Sequence, residues 1–205
     1  MILDKMVFLN VLTAAENRES FFKRIARIFP TLDPRYKTIE RAYNSAKDAF
    51  RGKTRESGER YFEHLRAVAL ILIEHLRIRD HVLIVAALLH DIVEDSKYWT
   101  IDRVRVEFGD DVALLVEWLS KPPKDDFDSK EERDSEYHSK FQSAPRNFFI
   151  IKLADRLHNI ITLGACSAKK RRRKIEETRR FYLPYAEREL VLVHELEKAL
   201  IKLET

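Results

Sequence analysis

Residues 82–89 form an unbroken apolar run, and four ionisable side chains follow it within six residues: His90, Asp91, Glu94 and Asp95. Such a run predicts a buried helix. A buried helix carries charged side chains into a core only where another group compensates them, and a divalent cation with its waters is one such group. At helical spacing His90 lies near Glu94 and Asp91 near Asp95, so one helical turn could hold both metal ligands and acid or base groups.

The composition indicates an all-α fold in a single domain. Of the 205 residues, 35% are charged, only 4 are glycine and 6 are proline, and apolar residues recur at three- and four-residue spacing. No internal repeat is visible, no linker divides the chain, and its length suffices for one sizeable core. We therefore expect a single helical bundle.

The sequence also indicates a compartment. No run of about 18 apolar residues is present, so neither a transmembrane helix nor a membrane partner is expected. The N-terminus is apolar but short, carries Asp4, and lacks the layout of a signal peptide. Cys166 is the single cysteine, which excludes an intramolecular disulfide and fits a reducing compartment. We therefore predict a cytoplasmic location.

A basic run at residues 169–174, KKRRRK, supplies much of the net charge of +4. As a block of like charge it has three explanations: a solvated helix face, a surface that attracts a phosphorylated substrate, or a nucleic-acid contact. The first is the commonest origin of such runs. No interleaved aromatic residues and no nucleic-acid motif accompany the run, so no nucleic-acid partner is expected.

Periodicity and breakers divide the chain into helices. Residues 1–35 are interpreted as an N-terminal helical extension packed on the main domain, residues 36–205. Its apolar stripe consists of Phe21, Phe22, Ile25 and Ile28. Further helices are predicted over residues 36–50, 61–76, 81–95, 104–108, 110–119 and 148–163, with two more within 169–203 that bend at Pro184. Residues 122–136, the most polar stretch, are predicted to be an exposed, mobile loop or lid.

Four side chains on three segments are candidate metal ligands: His64, His90, Asp91 and Asp155. Two imidazoles and two carboxylates suit a borderline or hard divalent ion such as Mn²⁺, Fe²⁺, Co²⁺ or Zn²⁺. Side chains so far apart in sequence need not meet, however. An isolated His64 is more often a surface or satisfied core histidine, and Asp155 could instead pair with Arg156 on a helix surface.

The ordered motifs resemble a known family. The pattern of His64, His90 with Asp91, and a distal Asp155 is similar to the H…HD…D signature of the HD superfamily of metal-dependent phosphohydrolases. RESGERYFEH, AALLHDIVED, FGDDV, KLADRLHNIITL and ETRRFYLPYA resemble, in the same order, segments of RelA/SpoT-type alarmone hydrolases over residues 40–188. In extent the chain is similar to the small stand-alone members, such as the SpoT-like homologue of animals. The resemblance implies a single HD-domain helical bundle that no synthetase or regulatory domain follows.

The resemblance also implies a reaction. The substrate would be guanosine 3′,5′-bis(pyrophosphate), (p)ppGpp, a small-molecule nucleotide, and the products would be GDP or GTP and pyrophosphate. By motif position the four candidate ligands would bind a metal, usually Mn²⁺, while Glu94 and Asp95 would orient or deprotonate the attacking water. Five residues would bind substrate: Arg55 against the guanine base, Ser57 and Tyr61 shaping that pocket, Asn159 near the metal, and Thr162 at the nucleoside.

Departures from the family pattern leave two alternatives open. Phe50 and Lys53 stand where the family has histidine and glutamine, and Arg60 stands where it has proline, all in the base-binding segment. Another phosphorylated nucleotide, such as NADPH or a different purine alarmone, is therefore an alternative substrate. A non-catalytic nucleotide-sensing module is the second alternative, against which the intact ligand set and acidic pair argue. His158 is expected to have a structural role within its helix, and the sequence specifies no oligomeric state.

Overall fold

A buried central helix and the helices packed around it form the fold. The structure, a computed structural model, describes residues 17–204. Apart from an isolated bridge between Thr54 and Arg60, these residues contain no strand. The prediction of an all-α fold is therefore confirmed.

The α-helices are named here in chain order. They are α1 (Arg18–Ala26), α2 (Pro34–Ala49), α3 (Tyr61–Leu70), α4 (His81–Leu89), α5 (Ile92–Asp95), α6 (Ile101–Phe108), α7 (Asp110–Leu119), α8 (Lys130–Ser139), α9 (Arg146–Ile161), α10 (Ala168–Glu177), α11 (Leu183–Glu189) and α12 (Val193–Glu204). Segments of π-helix follow α3 and α10, at Ile71–His75 and Thr178–Tyr182.

Helix α1 packs its aromatic side onto the bundle. The side chain of Asn17 caps the helix by accepting a main-chain N–H of the first turn at 2.9 Å. Phe21 and Phe22 are buried, and the centre of each ring lies 5.1 Å from that of Tyr43 in α2. Residues 1–16 of the predicted extension lie outside the described part of the chain.

Helix α4 is the centre of the core. Asp80 caps its first turn, since its side chain accepts the main-chain N–H of Val82 at 2.8 Å. Residues 83–89 are all buried, with α2, α3 and α7 packed around them. A helix that is apolar on every side is expected in such a place. The sequence's prediction of a buried helix here is therefore confirmed.

The single helix predicted over residues 81–95 is wrong. The chain forms α4 and α5 with Asp91 between them at φ −103° and ψ 1°, in the sparsely populated bridge region. In a continuous helix the N–H of Asp91 would donate to the carbonyl oxygen of Ala87. Here Nδ1 of His90 donates to that oxygen at 2.9 Å instead. Helix α5 then begins with a hydrogen bond from the N–H of Asp95 to the carbonyl of Asp91 at 3.2 Å.

Residues 122–136 contain a helix where the sequence predicts a mobile loop or lid. Helix α8 begins after Ser129, whose hydroxyl accepts the N–H of Glu132 at 3.1 Å. Near its end Tyr137 is fully buried, and its hydroxyl donates to the main-chain oxygen of Leu119 at 2.9 Å. One buried aromatic residue thus anchors a helix that is otherwise largely polar.

Helix α9 crosses the core and packs on α3, α4, α7, α11 and α12. Most of its side chains are buried, including ionisable ones: Lys152, Asp155, Arg156 and His158. The bend predicted at Pro184 lies just after the second π-helical segment, at the start of α11. Among the helices of residues 17–204, none combines the length and the apolar character that crossing a membrane requires.

We expect Phe21→Ala to lower the free energy of unfolding by about 3–5 kcal/mol, because it removes a fully buried ring and leaves a cavity. Phe21→Leu keeps most of the apolar volume and should cost less. Denaturant unfolding followed by circular dichroism measures both variants. An alanine variant as stable as the parent would contradict the packing of α1 on the bundle.

Candidate active site

Four candidate ligands meet where α3, the α4–α5 junction and α9 converge. His64, His90 and Asp91 each offer one atom within 4.8 Å of the other two, a spacing that could hold a metal ion. The carboxylate of Asp155 joins them, since its Oδ1 lies 3.2 Å from Nε2 of His64 and 3.8 Å from Nε2 of His90. The fold thus brings together side chains that are far apart in sequence.

The ring of His90 fits a cation. Its Nδ1 lies 2.9 Å from the main-chain oxygen of Ala87 and therefore carries a proton, which leaves the lone pair of the neutral ring on Nε2. This Nε2 is buried without a hydrogen-bond partner, 3.1 Å from Oδ2 of Asp91. Burial opposes a charge on His90, yet the negative Asp91 and Asp155 raise its pKa to about 9. The two carboxylates therefore favour positive charge at Nε2, which either a proton or a divalent metal ion can supply.

Neighbouring side chains stabilise both carboxylates. Burial would raise the pKa of Asp155, but Lys152, 3.0 Å from its Oδ2, holds that pKa well below its usual range. Asn159 donates to Oδ1 of Asp155 at 2.5 Å. The hydroxyl of Tyr61 donates to Oδ2 of Asp91 at 2.8 Å. Two of the predicted substrate residues, Tyr61 and Asn159, therefore contact candidate ligands directly.

The acidic pair follows Asp91 along the chain. Glu94 lines a cavity beside the ligands, and its Oε1 accepts the main-chain N–H of Lys121 at 2.9 Å. Asp95 is exposed, and its main-chain oxygen accepts a hydrogen bond from the side chain of Lys53. Partial loss of solvation first, and then the negative Asp91, raise the pKa of both Glu94 and Asp95. That direction suits a general acid or base near neutral pH.

Arg133, which no sequence pattern singles out, also contacts Glu94. Its Nη2 lies 3.3 Å from Oε2 of Glu94, and its Nε donates to the main-chain oxygen of Pro122 at 2.6 Å. The Arg133 side chain is 13% exposed. Helix α8 therefore places a guanidinium against one oxygen of Glu94 while the N–H of Lys121 binds the other. The sequence misses Arg133 because its stretch is assigned to a loop.

A cavity of about 240 Å³ opens beside the ligand cluster. All five predicted substrate residues line it: Arg55, Ser57, Tyr61, Asn159 and Thr162. Further cationic side chains line it as well: Lys121, Lys152, Arg156, Lys170 and Lys174. Such a concentration of positive charge around one cavity favours a polyanionic ligand.

Arg55 is held inside this cavity by α9. Its Nη2 donates to Oδ1 of Asn159 at 2.6 Å, and its Nη1 lies 3.0 Å from Nδ1 of His158. Thr162, just after α9, donates its hydroxyl to the main-chain oxygen of His158 at 2.9 Å. Ser57 is exposed in the loop between α2 and α3. Arg55 therefore bridges this loop and the helix that carries a candidate ligand.

At one wall of the cavity, two cationic side chains pair with the same carboxylate. Oε1 of Glu177 lies 2.7 Å from Nη2 of Arg156, and its Oε2 lies 2.7 Å from Nζ of Lys174. Burial and the neighbouring Arg156 lower the pKa of Lys174 to about 8. The guanidinium of Arg156 also lies 3.6 Å from the ring centre of Tyr182. Two cations with one shared counter-charge leave this wall positive.

The basic run of α10 divides between the cavity and solvent. Lys170 lines the cavity and pairs with Glu56 at 2.7 Å, and Lys174 lines it beside Glu177. Arg172 and Arg173 are exposed. The run is therefore a solvated helix face on one side and part of the cavity wall on the other.

A helical bundle that holds a His-His-Asp cluster, with both histidines buried, has the arrangement of a helical domain that could bind a metal ion. The family model of the HD domain matches residues 42–191, and the chain belongs to this family. The matched range contains all four candidate ligands, the acidic pair and the five predicted substrate residues.

Several curated relatives share this region. The chain is 41% identical over 172 residues to the bifunctional (p)ppGpp synthase/hydrolase SpoT of Escherichia coli K12, which covers 82% of this chain and 24% of SpoT. It is 43% identical over 147 residues to the guanosine-3′,5′-bis(diphosphate) 3′-pyrophosphohydrolase of Haemophilus influenzae. That alignment covers 70% of this chain and 21% of the relative. A GTP pyrophosphokinase of Streptomyces coelicolor is 39% identical over 171 residues, in an alignment that covers 80% of this chain and 20% of the relative. The chain thus spans about a quarter or less of the length of these relatives.

A solved structure shares the fold. The structure of a metazoan ortholog of SpoT, described as hydrolysing ppGpp, aligns with a TM-score of 0.71 over 80% of this chain and 94% of that chain. At 23% sequence identity this likeness shows the fold alone. It confirms the prediction of an HD-domain helical bundle.

We expect the chain to bind one divalent ion and Asp155→Ala to weaken that binding. The loss of affinity should exceed the roughly 10–100-fold that is typical when a residue that only hydrogen-bonds to a ligand is removed. The reason is that Oδ1 of Asp155 lies beside both histidine Nε2 atoms. Elemental analysis and Mn²⁺ titration measure occupancy and affinity. Asp48→Ala, which removes an exposed carboxylate on α2, is the matched control. Full occupancy in Asp155→Ala would remove Asp155 from the ligand set.

Proposed function

We propose that this chain hydrolyses the 3′-pyrophosphate of (p)ppGpp, giving GDP or GTP and pyrophosphate. The observation that carries the proposal is geometric: the His64, His90 and Asp91 cluster adjoins a cavity whose wall holds Glu94 and several cations. This arrangement offers a metal, a proton acceptor and a polyanion site in one place. Relatives named 3′-pyrophosphohydrolases of this nucleotide support the same reaction.

The proposed cofactor is one divalent ion, Mn²⁺ foremost, held by His64, His90, Asp91 and Asp155. Two imidazole nitrogens and two carboxylate oxygens suit Mn²⁺, and also Fe²⁺, Co²⁺ and Zn²⁺. When bound, such an ion polarises a phosphoryl oxygen and lowers the pKa of a coordinated water. The unpaired Nε2 of His90 supports this ligand set.

Glu94 and Asp95 are the proposed groups that orient the attacking water and take its proton. Glu94 is the better placed, since its carboxylate lines the cavity together with Asp91. Burial and the charge of Asp91 raise the pKa of Glu94, which moves it towards the pH at which a general base exchanges protons efficiently. Lys121 and Arg133 hold its two oxygens in place.

The cationic wall of the cavity is proposed to bind the pyrophosphate groups. Negative charge grows on the leaving pyrophosphate, and fixed cations stabilise it without reorganising. Arg156 and Lys174 are already fixed through their shared partner Glu177. Lys152 lies between this wall and the metal ligands, because it lines the cavity and pairs with Asp155.

Residues of the α2–α3 loop, the start of α3 and the end of α9 are proposed to bind the nucleoside: Arg55, Ser57, Tyr61, Asn159 and Thr162. Arg55 offers a planar guanidinium that can stack on a purine. Tyr61 and Asn159 have a second task, since each donates a hydrogen bond to a candidate ligand. Changes at these two positions should therefore affect metal binding as well as nucleotide binding.

Another phosphorylated purine nucleotide, such as NADPH or a different alarmone, is the second candidate substrate. The observation that favours it is the stacking of Phe50 on Tyr61, with ring centres 4.7 Å apart and planes 7° apart, where the resemblance implies a histidine. Lys53 also replaces a neutral glutamine, and it binds the main-chain oxygen of Asp95. A non-catalytic nucleotide-sensing module is the remaining alternative.

A nucleotide panel assayed with Mn²⁺ tests the proposed reaction. We expect release of pyrophosphate from ppGpp and pppGpp, and loss of turnover when a chelator removes the metal. GDP and GTP lack the 3′-pyrophosphate and should not react. Turnover of NADPH in preference to ppGpp would assign the second candidate, and nucleotide binding without any turnover would assign the sensing module.

We expect Glu94→Gln and Asp95→Asn to keep the fold and the bound metal while turnover falls by about 10²–10⁴-fold, the usual cost of losing a general acid or base. Both changes are nearly isosteric and remove negative charge beside a polyanion, so nucleotide affinity should hold or increase. Rate, metal content and affinity are measured on each variant. Glu117→Gln, exposed on α7, is the control.

Two results would contradict the assignment of the acidic pair. If metal is lost in parallel with activity, the substituted residue is a ligand. If both variants turn over (p)ppGpp at the parental rate, the proton acceptor is another group.

The domain division and the location are also proposals. Residues 1–35 are proposed to be an extension of the HD domain, because the family model begins only at residue 42 while α1 packs on the same core. The cytoplasmic location stays a prediction, supported by Cys166 as the single cysteine. The expected lack of nucleic-acid and membrane partners likewise stays a prediction.

A further inference from the structure

His158 lies beside the metal-ligand cluster without belonging to it. It is 3% exposed, and its ring centre lies 4.9 Å from that of His64. Its Nδ1 lies 2.9 Å from Nδ1 of His64 and 3.0 Å from Nη1 of Arg55. The sequence suggests a role within its own helix, but these contacts reach α3 and the loop before it.

The guanidinium of Arg55 decides which ring nitrogens carry protons. A guanidinium donates hydrogen bonds and never accepts them, so Nδ1 of His158 must present a lone pair. In the other contact, therefore, Nδ1 of His64 is the donor, and the two N–H groups share the single lone pair of His158 Nδ1. The neutral ring of His64 then has its lone pair on Nε2, the atom that lies 3.2 Å from Oδ1 of Asp155 and 3.9 Å from Oδ2 of Asp91.

This proton arrangement prepares His64 for a metal. A lone pair that faces carboxylate oxygens is repelled by them unless a cation lies between. Histidines that bind metals generally donate their other ring N–H to an acceptor, which fixes the tautomer and the ring orientation. Carboxylates, carbonyls and waters are the usual acceptors, whereas here the acceptor is a second imidazole.

We propose that His158 is a positioning residue of the metal centre, which accepts the Nδ1–H of His64 and so fixes Nε2 of His64 as the ligand atom. The proposal rests on the metal centre of the proposed function and not on its substrate. Asp155 precedes His158 by three residues on α9, so both lie on one helix face. One helix thus supplies a ligand and the partner that orients another ligand.

Metal affinity measured without nucleotide tests the proposal. His158→Leu removes the acceptor and should weaken Mn²⁺ binding by about 10–100-fold. His158→Asn can place its Oδ1 where Nδ1 lies and should restore most of that affinity. Leu153→Ala, a truncation of a buried residue on the same helix, should lower stability and leave the affinity of the folded protein unchanged. Chelator competition measures all three.

Two affinity results would overturn the proposal. One is parental affinity in His158→Leu. The other is an equal loss in His158→Leu and His158→Asn, which would show that packing rather than the hydrogen bond matters. The unfolding midpoint of each variant, measured in parallel, separates weak metal binding from a failure to fold.

Ring-nitrogen chemical shifts test the same point in the unaltered chain, even if His158→Leu does not fold. In metal-free protein labelled with ¹⁵N-histidine, His158 should carry its proton on Nε2 and His64 should carry a proton on Nδ1. A proton on Nδ1 of His158 would overturn the proposal. Failure to hydrolyse (p)ppGpp would leave both measurements unaffected, so the two proposals fail independently.

Discussion

The site depends on holding one buried and one half-buried carboxylate together with two buried imidazoles at the edge of an apolar core. At low dielectric, removing the carboxylates of Asp91 and Asp155 from water has a large free-energy cost, and the repulsion between them adds to it. The chain offsets part of that cost with Lys152 on one carboxylate and the hydroxyl of Tyr61 on the other. The Nε2 of His90 has no hydrogen-bond partner, so the proposed metal ion would complete the compensation. Three helices thus share one electrostatic requirement, which fixes where they cross.

The parts of the fold that follow local pattern could be predicted from the sequence. Residues 82–89 are apolar on every side of a helix, a pattern that predicts burial, and residues 83–89 are buried. The break at Asp91 could not be predicted, because it depends on a side chain taking the oxygen of Ala87. Helix α8 cannot be predicted from local pattern for a related reason. Its polar sequence carries little helical signal, and its anchor is the contact of Tyr137 with Leu119 in another helix.

For the site, ordered motifs carried more information than residue chemistry did. Arg55 and Asn159 are 104 positions apart, yet they share a hydrogen bond of 2.6 Å. Nothing local in the sequence reports such a contact, and only resemblance to a family assigns both residues to one pocket. Arg133 belongs to no recognised motif, and its contact with Glu94 depends on how α8 packs. Sequence spacing is informative by itself only for partners on one helix.

Helix α9 shows what that spacing achieves. Four residues of α9 line the cavity and follow one another at intervals of three, one and three residues: Lys152, Asp155, Arg156 and Asn159. At a rise of about 1.5 Å per residue, the helix sets fixed distances between a candidate metal ligand, two cations and an amide. Packing of five other helices around α9 prevents it from rotating or sliding. Under the proposed function, backbone geometry rather than mobile side chains would therefore align a polyanion bound by the cations with the candidate metal ligands.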